Sequence, residues 1–246
     1  MSQQSLTTRM PGGVTNAAPW QTMAESGCLD PTWVQSYLAD FGNLGSVTDF
    51  TSTYVGAGTN SLVSNVGGAV RMITGVNALD ANYMQTPLAC FQLRPGRHHF
   101  FKGSLMNVTS VTSTDVFMGL ISASTTPLAA PDGLFFWRQA GGSTIIVRSV
   151  VGGVATDYTL PPAEFATLGV YAEVGLHIDP EGGVSIFRNP TTGALPPPTA
   201  ANGRGRVGYF KPGLTQALLG PSFGVRNGVA GSTTTLVDFI YMQSDR

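Results

Sequence analysis

Along GVYAEVGLHID the apolar and polar positions alternate. Val170, Ala172, Val174, Leu176 and Ile178 fall on one side of an extended chain, and Tyr171, Glu173, His177 and Asp179 fall on the other. A period of two predicts an antiparallel strand with one buried face. Pro180-Glu181-Gly182-Gly183 then turns the chain into VSIFRN, and Gly152-Gly153 joins STIIVRSVV to VATDYTL as a tight hairpin. Similar runs recur at SVTDFTSTYV, YMQTPLACFQL, HHFFKGSLMNV, DVFMGLIS, GLFFWRQ, RVGYF, PSFGV and TTTLVDFIYM. About a dozen short strands with no helical period between them exclude a doubly wound α/β fold. They predict an all-β protein, an antiparallel β-sandwich of two curved sheets in the jelly-roll manner.

Three segments depart from this pattern. Residues 1–29 are rich in Ser, Thr, Gln, Gly and Pro with Trp20 as the one large anchor, which predicts an extended N-terminal arm. In DPTWVQSYLADFG, Asp30 can cap, Pro31 fits a first helical turn and Gly42 can terminate. Trp33, Val34, Tyr37, Leu38 and Phe41 share a helical stripe there, so one short helix is expected. NPTTGALPPPTAANGRGR, from Asn189 to Arg206, has too many prolines and glycines for a central strand and reads as a long loop. The organisation expected is an arm and helix over 1–45 and a sandwich domain over 46–246.

Composition changes the picture in one respect. The hydrophobic fraction of 42% is ordinary, but charged residues make up only 11%, against roughly 25% in typical soluble domains. No run reaches the roughly 18 apolar residues of a membrane span, and MSQQSLTTRMPGG has no basic region leading into an apolar core, so cytoplasmic synthesis is expected. A net charge of −1 supplies no field toward nucleic acid or acidic lipid. Scarce charge fits a surface covered by other subunits, because permanent interface cores are depleted in charge. Cys28 and Cys90 lie outside any CxxC spacing and read as buried free thiols, and neither a metal nor a cofactor is expected.

The candidate chemistry is sparse. Glu173, His177 and Asp179 share a strand face, which allows a metal or acid/base reading, although a solvated sheet face requires the same alternation. His98 and His99 are consecutive, so their side chains leave opposite faces and cannot chelate one ion. A glycosidase on such a sheet needs carboxylates at i, i+2 and i+4, and no such triple occurs. Asp115, Asp132, Asp157 and Asp238 read as turn or strand-edge residues. Arg204 and Arg206 read as solvated loop. In Leu134-Phe135-Phe136-Trp137 alternate rings face opposite ways, leaving one ring for an outer face.

The series FQLRPGRHHFFKGSLMNV, DVFMGLIS, DGLFFWR, STIIVRS, VYAEVGLHID with GGVSIFRN, PSFGVRNG and TTTLVDFIYM resembles the concanavalin-like jelly-roll structural proteins of tailed bacteriophages, which include capsid decoration or cement proteins. The resemblance spans roughly Leu88 to Met242 and lies in strands and turns. It implies a non-enzymatic virion component, made in the host cytoplasm and docked on the capsid surface. There it would stabilise the head through contacts with the major capsid protein, as a homo-oligomer, dimer or trimer, with no nucleic acid or membrane partner. Trp20, Trp33 and Tyr37 are the expected partner-binding anchors, since aromatic anchors carry much interface energy. The alternative is a carbohydrate-binding fibre or tail module of a phage.

Overall fold

A computed structural model describes residues 34–41, 47–63, 68–109, 113–142, 144–160, 169, 171–189 and 206–245. Sixteen strands lie among them, and every strand pair is antiparallel. In chain order they begin with β1 (Val34–Asp40), β2 (Thr51–Val55), β3 (Gly58–Val63), β4 (Ala69–Thr74), β5 (Ala81–Gln85) and β6 (Phe91–Gln92). Next come β7 (His99–Asn107), β8 (Thr114–Ile121), β9 (Gly133–Arg138), β10 (Ile145–Val151) and β11 (Val154–Thr159). The last are β12 (Tyr171–Ile178), β13 (Val184–Asn189), β14 (Arg206–Phe210), β15 (Leu218–Asn227) and β16 (Thr234–Asp245). Among the described residues two 3-10 turns, Val47–Asp49 and Pro127–Ala129, interrupt the strands.

The strands form two sheets. One runs β14-β13-β12-β7-β16-β4-β3, with β1 beside β16; the other runs β11-β10-β9-β8-β15-β5-β2, with β6 beside β15. Alternation decides which side chains meet between them. Phe101 and Leu105 of β7, Met118 and Leu120 of β8, Phe136 of β9, Leu176 of β12, Phe223 of β15 and Ile240 of β16 point inward and form one continuous core. The inward set expected of β12 is present as Ala172, Val174, Leu176 and Ile178. The hairpin expected at Gly152-Gly153 is present too: Val151 faces Val154, and both glycines take positive φ (55° and 84°), the conformation a two-residue primed turn demands.

The segment from Val34 to Asp40 corrects the sequence reading, because it is β1 and not a helix. Its stripe at helical spacing coincides with a second pattern of period two, in which Ala39 and Phe41 enter the core and Tyr37 packs against it. What chooses between the two is β16. This twelve-residue strand pairs with β4 only from Thr234 to Val237, which leaves Phe239–Asp245 with an open edge that β1 fills. A row of backbone donors and acceptors outweighs the small local preference for helix. Trp20, Trp33, the N-terminal arm and residues 190–205 of the expected loop, Arg204 among them, lie outside the described residues.

Candidate functional site

The three polar residues singled out on β12 do not converge. Glu173 pairs with Lys102 of β7 at 2.9 Å, and the Lys102 ammonium also lies 5.4 Å from the centre of the Phe239 ring. His177 stacks on Phe100 (4.5 Å between ring centres, 10° between planes), and its Nε2 lies 2.9 Å from Nδ1 of His98. Asp179 belongs to the β12–β13 turn, where its carboxylate accepts from the N–H groups of Glu181 and Gly183. His99 leaves the opposite side of β7 from Phe100, as the alternation requires. It is fully buried, with Nδ1 2.8 Å from the Ser244 hydroxyl and Nε2 accepting from the Arg94 N–H.

The outer face of the other sheet holds a more organised set. Phe117, Phe135, Trp137, Tyr83 and Val150 form a second apolar cluster there, partly roofed by Leu128 and Ala130 from the β8–β9 connection. Both Phe135 and Trp137 therefore stand on the outer face, one ring more than the sequence reading assigned. The cluster lies close to the backbone because Gly224 of β15 has no side chain. A Cβ there would sit 2.6 Å from the Tyr83 ring and 2.7 Å from that of Phe117. Burial raises the Tyr83 phenol pKa, so it stays a neutral hydroxyl.

Beside this cluster a ladder of charge and aromatic surface crosses five strands. Arg148 of β10 forms a two-point pair with Asp157 of β11 (2.7 and 2.6 Å) while its guanidinium lies 4.3 Å from the centre of the Trp137 ring on β9. The Trp137 indole N–H donates to Asp115 of β8 at 3.1 Å, and the other oxygen of Asp115 accepts from Nε and Nη2 of Arg226 on β15 (2.8 and 2.6 Å). The Asp115 side chain is only 4% exposed, whereas Arg148, Asp157 and Arg226 keep 20%, 34% and 33% of their side-chain surface. Two cations and two anions therefore cancel across one sheet face, with the edges of Arg148, Asp157 and Arg226 open. Such planar, preoriented groups suit hydroxyl-rich ligands, whose O–H groups donate to carboxylates and accept from guanidinium.

Two sequence expectations are corrected at these positions. Asp115 is a rung of the ladder and not a turn residue, and Asp157, which does lie on the sheet-edge strand β11, is another rung, because β8 and β11 turn both toward the same outer face. Cys90 is exposed and not buried, since its neighbour Phe91 takes the inward position of the short strand β6. Tyr37 turns toward the core, edge-on to Phe50 (6.3 Å, 83°), and burial raises its pKa well above the ordinary tyrosine range. Arg206 opens β14 and lies 5.9 Å from the Tyr209 ring centre. The Arg148–Asp157 pair has a signal in the sequence: a two-residue turn at 152–153 places residues 148 and 157 opposite each other.

No family model and no curated protein sequence matches this chain. Solved structures do. The carbohydrate recognition domain of Emp47p superposes with a TM-score of 0.58 at 12% identity, covering 88% of this chain and 98% of that one. The CBM2 module of the evolved Dit protein of Lactobacillus casei BL23 phage J-1 gives 0.53 at 9%, covering 86% and 96%. An endo-1,3-β-glucanase of Streptomyces sioyaensis gives 0.57 at 9%, covering 87% and 98%. With the sheet order above, these likenesses define the fold class: the chain is a lectin-like jelly-roll β-sandwich, a fold shared by binding modules and by enzymes.

Proposed function

We propose that this protein is a non-catalytic binding module of a bacteriophage particle that recognises carbohydrate through the Asp157–Arg148–Trp137–Asp115–Arg226 ladder. The observation that carries the reading is the ladder itself: five side chains from five strands, fixed by reciprocal bonds, with Arg148, Asp157 and Arg226 open on one sheet face and held by the buried Trp137 and Asp115. Solved neighbours named for carbohydrate recognition, one of them from a phage, support it. The non-catalytic part rests on where the carboxylates go. Glu173, Asp115 and Asp157 are each neutralised by a cation, and Asp179 holds a turn, whereas glycoside hydrolysis requires two carboxyl groups facing a common bond.

The low charge of the chain, together with exposed Val76, Leu79 and Val229 on adjoining loops, favours a second reading as a capsid decoration protein contacting the major capsid protein. Leu79 N–H bonds the Asn227 carbonyl and Gly231 N–H bonds the Val76 carbonyl, so the two loops hold each other. One experiment separates the readings: the purified chain is offered to a glycan array and to undecorated phage heads. Glycan binding weakened at least about tenfold by Arg148→Ala, with thermal unfolding preserved, supports the proposal. An array without signal, beside heads that bind the chain and rupture at higher temperature, replaces it with the decoration role.

A further inference from the structure

We infer that β11 is a pairing edge for a second copy of this chain, joining two sandwiches through one continuous sheet. Hairpin geometry fixes which backbone groups are involved. Val151 and Val154 flank a two-residue turn and so bond each other, and the pairing then alternates along the ladder. The Leu160 N–H donating to the Ile145 carbonyl at 2.8 Å confirms that parity at the far end. Val154, Thr156 and Tyr158 therefore bond inward to β10, while Ala155, Asp157 and Thr159 direct their N–H and C=O groups outward, away from the sheet.

Sheet edges of this kind are ordinarily guarded by lysine, proline or a bulge, or are covered. Besides β11, the strands that end the two sheet orders are β14, β3 and β2. Strand β14 begins at Arg206 and runs into Lys211-Pro212. Strands β2 and β3 meet across the opposite side of the sandwich, where the Asn60 amide donates to the Ser52 hydroxyl at 3.0 Å. Strand β11, VATDYT, has no lysine, arginine, proline or bulge. Its single charge, Asp157, is neutralised by Arg148, and Val154 stands 72% exposed at its start.

The sequence of β11 complements itself in the antiparallel sense. A two-fold axis at Thr156 puts Ala155 opposite the partner's Asp157, Thr156 opposite the partner's Thr156, and Val154 opposite the partner's Tyr158. Threonine pairs and aromatic with β-branched pairs are favourable cross-strand neighbours, and this register keeps the two Asp157 carboxylates from facing each other directly. Tyr158 stacks on Phe210 of the nearby β14 at 5.3 Å. The same operation places two Arg148–Asp157 rungs near the junction, which makes the face bivalent if it binds glycan. The pairing itself is independent of that reading.

The test is sedimentation equilibrium of the full chain, with amide hydrogen exchange at several protein concentrations. The wild type is expected to be a dimer that dissociates on dilution, with Ala155, Asp157 and Thr159 amides gaining protection as concentration rises. Ala155→Pro removes one outward N–H without touching the β10 ladder and should give a monomer with unfolding temperature unchanged. Thr156→Lys, which opposes two ammonium groups at the axis, should do the same should the proline variant fold poorly. A wild-type monomer, a dimer that survives Thr156→Lys, or protection of the three amides that ignores concentration overturns the inference.

Discussion

Asp115 shows how much one side chain can carry on a sheet face. Its carboxylate accepts from the Trp137 indole, the Ala140 N–H and the Arg226 guanidinium while almost fully buried. Replacing it by alanine leaves the buried Trp137 N–H and the half-buried Ala140 N–H without an acceptor and a partly buried cation without its counter-charge. Removing one member of such a set costs on the order of 3 kcal/mol. Asp115→Ala is therefore expected to lower the unfolding temperature by roughly 6–12 °C in a chain of this size. Asp115→Asn keeps an acceptor for Trp137 and Ala140 and should recover part of the loss; equal losses in the two variants, read by calorimetry, would show that the charge alone matters. None of these partners is near Asp115 in sequence: Trp137 is 22 residues away and Arg226 is 111.

At the scale of elements, the strands legible in the sequence are those whose partners lie nearby or whose alternation is strong. β12 alternates cleanly, and β10 and β11 are tied by the glycine pair between them. β3 (GTNSLV) and β4 (AVRMIT) have weak alternation and gave no sequence signal, since β3 is a sheet edge with much of its surface in solvent. β1 is the opposite case, with helix signals overruled by an edge about 200 residues away in sequence. Its contribution is measurable. Deleting residues 1–41, compared with deleting 1–33, strips Ala39 and Phe41 from the core and uncovers Phe239–Asp245 of β16. Loss of a buried phenylalanine alone costs about 3–5 kcal/mol, so the step from one truncation to the other is expected to lower the unfolding temperature by on the order of 10 °C and to promote aggregation through the open edge. Superimposable melting curves for the two truncations would contradict this account of β1.

For the whole molecule the shortage of charge takes on a definite form. The ion pairs Lys102–Glu173, Arg148–Asp157 and Arg226–Asp115 all stand on outer sheet faces, and the two on the ladder leave it electrically neutral. A neutral platform binds through hydrogen bonds and ring contact, which salt screens little, whereas a net charged one loses affinity as the Debye length shrinks. The affinity for any neutral glycan found on the array is therefore expected to change less than about twofold between low salt and 0.5 M sodium chloride, as titration calorimetry will read. A steep fall with salt would point to an acidic ligand and a different use of Arg148 and Arg226.

The sequence by itself determined the class of fold and the facing of most strands. Alternation at period two is a local property, and the chain need only be extended for Leu134 and Phe136 to part from Phe135 and Trp137. It also determined the hairpin at Gly152-Gly153, because that turn demands residues at ease with positive φ. Tertiary structure alone decided that Val34–Asp40 is a strand, that Glu173 belongs to Lys102, and that Asp115, Trp137, Arg148, Asp157 and Arg226 stand in one row. Those outcomes depend on which strands lie side by side, and strand order is set by packing across the entire sandwich, a relation that no stretch of neighbouring residues contains.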